Sequence, residues 1–175
     1  MDLIRAFEFD AAHRVMNERV KCYNLHGHRF KVEAKFNFEE VNSLGYAVDF
    51  KEIKRVLFDY LDKKLDHAGI FNPLDTELID LCTKEGWRLW TMGLGRNDDV
   101  NPSAENIASE IFVISQLFFN HEKHGISISR IRLYETPNCW VDCTEPLYMP
   151  TTEKLAEINK DRETYSDFEY DARKV

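Results

Sequence analysis

The 175-residue sequence is poor in cysteine, and the cysteine it has is scattered: residues 22, 82, 139 and 143 form no paired C-x-x-C knuckles, so a structural cysteine-rich zinc site is disfavoured. Cys139 and Cys143 are the closest pair. On a strand they stand about 13 Å apart, beyond the ~7 Å limit for bridging, so Cys82, Cys139 and Cys143 read as reduced structural thiols. Long apolar runs are missing too: nothing approaches the ~20 residues of a membrane span. The opening Met1-Asp2-Leu3-Ile4-Arg5 lacks a basic region with an apolar stretch behind it. A soluble, cytoplasmic protein is expected, with no membrane partner. Positive charge is scarce, with 23 basic residues against 31 acidic and a net charge of −8, and that global field works against a nucleic-acid partner.

What is present suffices for one domain, since 43% of residues are apolar and twelve are phenylalanine. Phe30 to Phe38 alternates apolar and polar, marking a strand with one buried face, and Ile4 to Phe9 is a plausible partner. Gly45 to Val48 reads as a short strand entering a helix capped by Asp49, whose apolar stripe is Phe50, Ile53, Val56, Leu57, Tyr60, Leu61 and Leu65. Asn101-Pro102 signals the start of a second helix, with Ala104, Ile107, Ala108, Ile111, Ser115 and Phe118 buried. Ile126 to Leu133 supplies a strand whose alternation skips a residue near Arg130, a candidate bulge, and Trp140 to Cys143 is its candidate hairpin partner. The order ββααββ predicts an α+β domain, a four-stranded antiparallel sheet with two helices on one face. Its expected span is residues 1–150. Within it, 74–100 reads as an insertion covering an edge or an entrance, with its own short helical pattern at Leu74, Leu78, Ile79 and Leu81. Residues 151–175 read as a polar extension, an exposed helix with a frayed end.

Three of six histidines fall in the first 28 residues. His26 and His28 sit two apart at the start of the best strand and project from the same face. His13 ends the first strand, so antiparallel pairing brings a third imidazole to them. Three neutral nitrogen ligands with an open position make a catalytic rather than a structural zinc arrangement; hydrogen-bonding histidines in a loop are the plainer reading of H-x-H. Cys22 precedes His26 by four residues, where a nearby dication would make its thiol a usable base or nucleophile. It can equally be a small buried hydrophobe, or a fourth zinc ligand that closes the site. Asp66 and His67 end the first helix, either as a carboxylate tuning a proton-transfer imidazole or as partners of the helix terminus. Glu135 ends a strand, where its carboxylate can accept paired N–H donors from a guanidine-like ring edge or simply meet solvent.

Five motifs occur in order: Phe9-Asp10-Ala11-Ala12-His13-Arg14, Cys22-Tyr23-Asn24-Leu25-His26-Gly27-His28, Leu65-Asp66-His67, Asn101-Pro102-Ser103-Ala104-Glu105-Asn106 and Tyr134-Glu135-Thr136. Together they resemble the family of 6-pyruvoyltetrahydropterin and 6-carboxytetrahydropterin synthases, over about residues 4 to 143. The resemblance implies zinc on His13, His26 and His28, Cys22 as catalytic thiol, and Asp66 with His67 completing the proton-transfer apparatus. It implies Glu135 as pterin anchor, with Ser103 and Glu105 lining the same pocket. It also implies the tunnelling fold, a homotrimer or homohexamer with active sites between subunits, and 7,8-dihydroneopterin triphosphate as substrate. The three-residue interval between Cys22 and His26 is similar to the carboxy type, which releases acetaldehyde and triphosphate and feeds 7-deazaguanine and queuosine synthesis. The pyruvoyl type, which keeps the side chain, is the alternative. A non-catalytic zinc-binding assembly module, with Cys22 on the metal, is a further one.

Overall fold

The structure is a computed structural model that describes residues 1–119 and 125–166. Strand β1 (Leu3–His13) leads through a 3-10 turn (Lys21–Tyr23) into β2 (His26–Phe38). Helix α1 (Phe50–Ile53) continues through a π-helical segment (Lys54–Phe58) into α2 (Asp59–Leu65). Then follow β3 (Ala68–Phe71), α3 (Thr76–Glu85), β4 (Leu89–Thr91), α4 (Ala104–Phe118), β5 (Ile126–Thr136), β6 (Cys139–Cys143) and α5 (Thr152–Ser166). No helix among the described residues is long and apolar enough to cross a membrane.

The alternation in β2 does what its period requires. Phe30, Val32, Ala34 and Phe36 are fully buried beneath the helices, together with Phe9 of β1 and Ile131 and Leu133 of β5. Ile53, Leu57, Leu61 and Leu65 of the first helical stretch and Ile107, Ile111 and Ile114 of α4 complete this layer, while Phe50 is exposed. Asp49 caps α1 by accepting from the Lys51 N–H at 2.8 Å. The β2–β5 register shifts between Lys35 and Phe36, opposite the skipped residue near Arg130, so the bulge is present. All four cysteines are free thiols.

The sheet has six strands rather than four, ordered β4-β3-β1-β2-β5-β6. β3 and β4 add in parallel, through Ala11↔Ala68 to His13↔Ile70 and then Gly69↔Leu89 to Phe71↔Thr91. At four and three residues they are too short to show an alternation that marks a strand, and they join the sheet in parallel through connections that no hairpin signal announces. Region 74–100 therefore supplies a helix and an edge strand in addition to covering. Gly45 to Val48 is a turn, not a strand: the Asn42 side-chain oxygen accepts from Leu44 and Tyr46 N–H at 3.0 Å each and outcompetes a ladder. The cap of α4 is Ser103 instead of Asn101, its hydroxyl accepting from Asn106 N–H. Asn101 is engaged elsewhere.

Helix α5 is docked along its described length. Ile158 is fully buried, Arg162 donates to the Leu117 carbonyl at 2.8 Å, Lys64 pairs with Asp161 at 2.7 Å, and Tyr165 packs edge-on against Tyr60. The rest of the expected frayed end, 167–175, lies outside the described residues. A second tie runs through Glu110 of α4, only 2% exposed. Its carboxylate accepts from Trp90 Nε1 and the Gly93 N–H, each at 2.6 Å, and from the Tyr148 hydroxyl at 2.7 Å.

Burial pushes the Glu110 pKa up to about 7, against the pull of its three donors. A carboxyl raised on folding contributes stability that is complete below its unfolded pKa and is lost as pH rises through about 7. The wild type should therefore lose melting temperature between mildly acidic and neutral pH. Glu110→Gln should melt lower, at a cost of about 1–3 kcal/mol for mismatched donors, but with a flatter slope. Equal slopes in paired melts across that range would refute the assignment.

Candidate metal and active site

The β1–β2 register sets His13 directly opposite His26, and Ala11 opposite His28. His13, His26 and His28 consequently share one face at the end of the sheet, just past the buried Phe9 and Phe30. Their ring centroids lie 4.5 Å (His13–His26), 5.2 Å (His13–His28) and 5.1 Å (His26–His28) apart. One nitrogen from each falls within 4.8 Å of the other two, a group able to hold a metal ion.

Two of the rings are oriented by backbone carbonyls. His13 Nδ1 lies 2.8 Å from the Pro102 carbonyl and His26 Nδ1 2.7 Å from that of Asn24. A carbonyl only accepts, so each Nδ1 carries the proton and each Nε2 keeps its lone pair. His13 is 1% exposed, and its Nε2 is buried with no hydrogen-bond partner. The Glu135 carboxylate, 3.7 Å away, is too far for a hydrogen bond. Burial holds the His13 pKa below the ordinary histidine range, against the Pro102 bond that raises it. A buried, neutral, unpartnered acceptor facing two more imidazoles is what a divalent cation satisfies, so the residues fit a metal.

Cys22 lies half-buried on the Lys21–Tyr23 turn, its carbonyl accepting from Val15 N–H at 2.8 Å. Its sulfur does not join the converging ligand atoms. Burial, then the Glu18 and Glu135 carboxylates, raise the thiol pKa, so without a cation it stays protonated. Thus Cys22 and Glu135 stand beside the histidine group.

Asp66 and His67 stand apart. Asp66 ends α2 and accepts from Asp10 N–H at 2.9 Å, while its other oxygen lies 2.6 Å from His67 Nδ1. His67 takes φ 59° and donates its own N–H to the Asp10 carbonyl, leaving its side chain 76% exposed. Asp10 is three residues from His13 on β1 and faces the other side of the sheet, where it pairs with Arg29 at 2.9 Å. No hydrogen bond or ring contact among the described residues joins His67 to Cys22 or the three histidines. A cleft of about 530 Å³ does reach both His67 and His28, between Arg29, Leu78 and Trp87. A second hollow of about 560 Å³ is bounded by His28, Lys31, Tyr134 and Glu135.

Ser103, half-buried, spends its hydroxyl on capping α4, one residue from the carbonyl that orients His13. Glu105 is exposed on the first turn, favourable for the helix dipole. Sequence reasoning missed the orienting carbonyls of Asn24 and Pro102, which carry no residue-type signal, and Glu18, which looks like any solvated loop charge.

Residues 2–146 match the family profile described as 6-pyruvoyl tetrahydropterin synthase. The chain is 37% identical over 148 residues to the 6-carboxy-5,6,7,8-tetrahydropterin synthase of Rickettsia felis, covering 79% of this chain and 96% of that protein. With the enzyme of the same name from Haemophilus influenzae it shares 30% over 149 residues, covering 81% and 96%. Among solved structures, an uncharacterized protein of Wolinella succinogenes superposes with a TM-score of 0.65 at 18% identity, covering 82% of this chain and 97% of that one. The 6-pyruvoyl tetrahydropterin synthase of Caenorhabditis elegans does so at 0.56 and 18%, covering 82% and 94%. The architecture is accordingly the tunnelling fold, and the chain belongs to the 6-pyruvoyl tetrahydropterin synthase family.

Proposed function

We propose that the protein is a zinc-dependent lyase converting 7,8-dihydroneopterin triphosphate and water to 6-carboxy-5,6,7,8-tetrahydropterin, acetaldehyde and triphosphate. The observation that carries this reading is the convergence of three histidine nitrogens, one of them a buried orphan, beside a thiol and a carboxylate. The carboxy rather than the pyruvoyl product is supported by relatives of that name at 30% and 37% identity, against 18% for the pyruvoyl synthase structure.

His13, His26 and His28 would hold the ion, and zinc suits three neutral imidazoles. When bound it supplies Lewis-acid polarisation of side-chain hydroxyls and an electropositive surround for the thiol. Cys22 moves the proton at the pterin side chain. Glu135 accepts the ring-edge N–H groups of the pterin, and Ser103 with Glu105 line the same pocket. In the dyad, Asp66 holds Nδ1–H of His67, so Nε2 is the nitrogen that takes or gives a proton.

Because that dyad faces away from the metal group within one chain, the reading places the Asp66 and His67 of one subunit at the site of the next. It therefore includes a homotrimer or homohexamer, acting in the cytoplasm ahead of 7-deazaguanine and queuosine synthesis. The test is the product. Protein supplied with zinc and dihydroneopterin triphosphate, and no reductant, should release acetaldehyde in proportion to triphosphate, read after quenching by adding alcohol dehydrogenase with NADH. Triphosphate without acetaldehyde, and a product keeping three side-chain carbons, would transfer the assignment to the pyruvoyl reaction.

A further inference from the structure

The thiol of Cys22 sits on a twelve-residue connection between His13 and His26, and such a segment has to be held for a proton to be delivered at a fixed atom. The supports are visible. The Cys22 carbonyl is bound by Val15 N–H, and both neighbours of Val15 are anchored to the region between β3 and α4. On one side the Arg14 guanidinium makes a two-pronged pair with Asp75 at 2.5 and 2.6 Å, Asp75 being 2% exposed. The same guanidinium lies 5.4 Å from the ring centre of Tyr23, next to the thiol. On the other side Met16 N–H donates to the side-chain oxygen of Asn101 at 2.9 Å.

Asn101 is itself held. Its side-chain oxygen also accepts from Asn72 Nδ2 at 3.1 Å, and Asn72 is fully buried. Asn72 Nδ2 donates as well to Asp99 at 2.6 Å, and its oxygen accepts from Leu74 N–H at 2.9 Å. Asp99 reaches back to the thiol connection through Asn17 at 2.7 Å. The residue after Asn101 is Pro102, whose carbonyl orients His13. Two consecutive residues thus serve as a common support, Pro102 for a metal ligand and Asn101 for the strand of chain that fixes Cys22.

We propose that Asn101, backed by Asn72, is a positioning residue that registers the Cys22 thiol against the His13 side of the metal group. This rests on the function proposed above for the role of the thiol, but the geometry stands without it. The Asn101 amide spends its oxygen on an N–H seven positions before the turn's end and 85 residues away in sequence, rather than on capping the helix beside it.

The test compares Asn101→Ala with Asn101→Asp, which keeps an oxygen where Met16 N–H points. Asn101→Ala should keep one metal per subunit and a KM within about twofold of wild type, while kcat falls roughly 10- to 100-fold, the size of effect expected when a reacting group is misplaced. Iodoacetamide labelling of Cys22, followed peptide by peptide, should change in rate by about threefold or more as the thiol's surroundings loosen. Asn101→Asp should return labelling and kcat to near wild type. Wild-type labelling in Asn101→Ala, or failure of Asn101→Asp to restore it, overturns the proposal. So does loss of metal alongside activity, since the effect would then run through His13. If the wild type fails to turn over the pterin at all, the functional reading falls, while labelling and metal content still decide the positioning role.

Discussion

Cys22→Ala is expected to lower kcat by about 10²- to 10⁴-fold, the range for removal of a positioned acid–base group, while the protein keeps its metal and its fold. Three observations set this expectation. The sulfur is not among the converging ligand atoms, so its removal leaves the three imidazoles intact. The turn is held through the Cys22 backbone carbonyl, which alanine retains. The side chain is small and half-buried, so little packing is lost. Metal analysis, a thermal melt and single-turnover kinetics on the same preparation check it. Metal lost from this variant would make Cys22 a ligand and favour a closed, non-catalytic zinc site.

The second large effect belongs to the metal. His26→Ala should weaken zinc binding by more than about a hundredfold, since disturbing an outer partner of a ligand costs about 10- to 100-fold and here the proposed ligand itself is removed. Because the ion binds only the folded chain, zinc should raise the melting temperature of the wild type and leave His26→Ala unmoved. His67→Ala is the matched control. Its ring lies on the other face of the sheet, so it should bind zinc as the wild type does yet lose turnover. Equal zinc response in wild type and His26→Ala would break the three-histidine assignment.

Local pattern made much of this legible. The alternation of Phe30 to Phe38 identifies β2 and its buried face, the stripe from Ile53 to Leu65 its covering helix, and H-x-H at a strand start places two imidazoles on one side. These are properties of a few consecutive residues, governed by the periods of strand and helix. Errors fell where a residue had a distant competitor. Asn101 looks like a helix cap, but Met16 N–H claims its oxygen. α5 looks too polar to dock, yet one buried isoleucine, the Lys64–Asp161 ion pair and the Arg162 hydrogen bond to the Leu117 carbonyl seat it.

The amino-acid sequence by itself determined the candidate metal-binding histidines, the α+β class and the central strands, because residue chemistry and short-range periodicity are written in the chain. Tertiary structure decided the rest. Register brought His13 opposite His26, carbonyls from Asn24 and Pro102 chose the tautomers, and parallel pairing extended the sheet by β3 and β4. It also turned Asp66 and His67 to the opposite face from the metal group. Each of these depends on backbone groups or contacts far apart in sequence, and backbone hydrogen-bonding groups are the same at nearly every residue, so no residue type announces them.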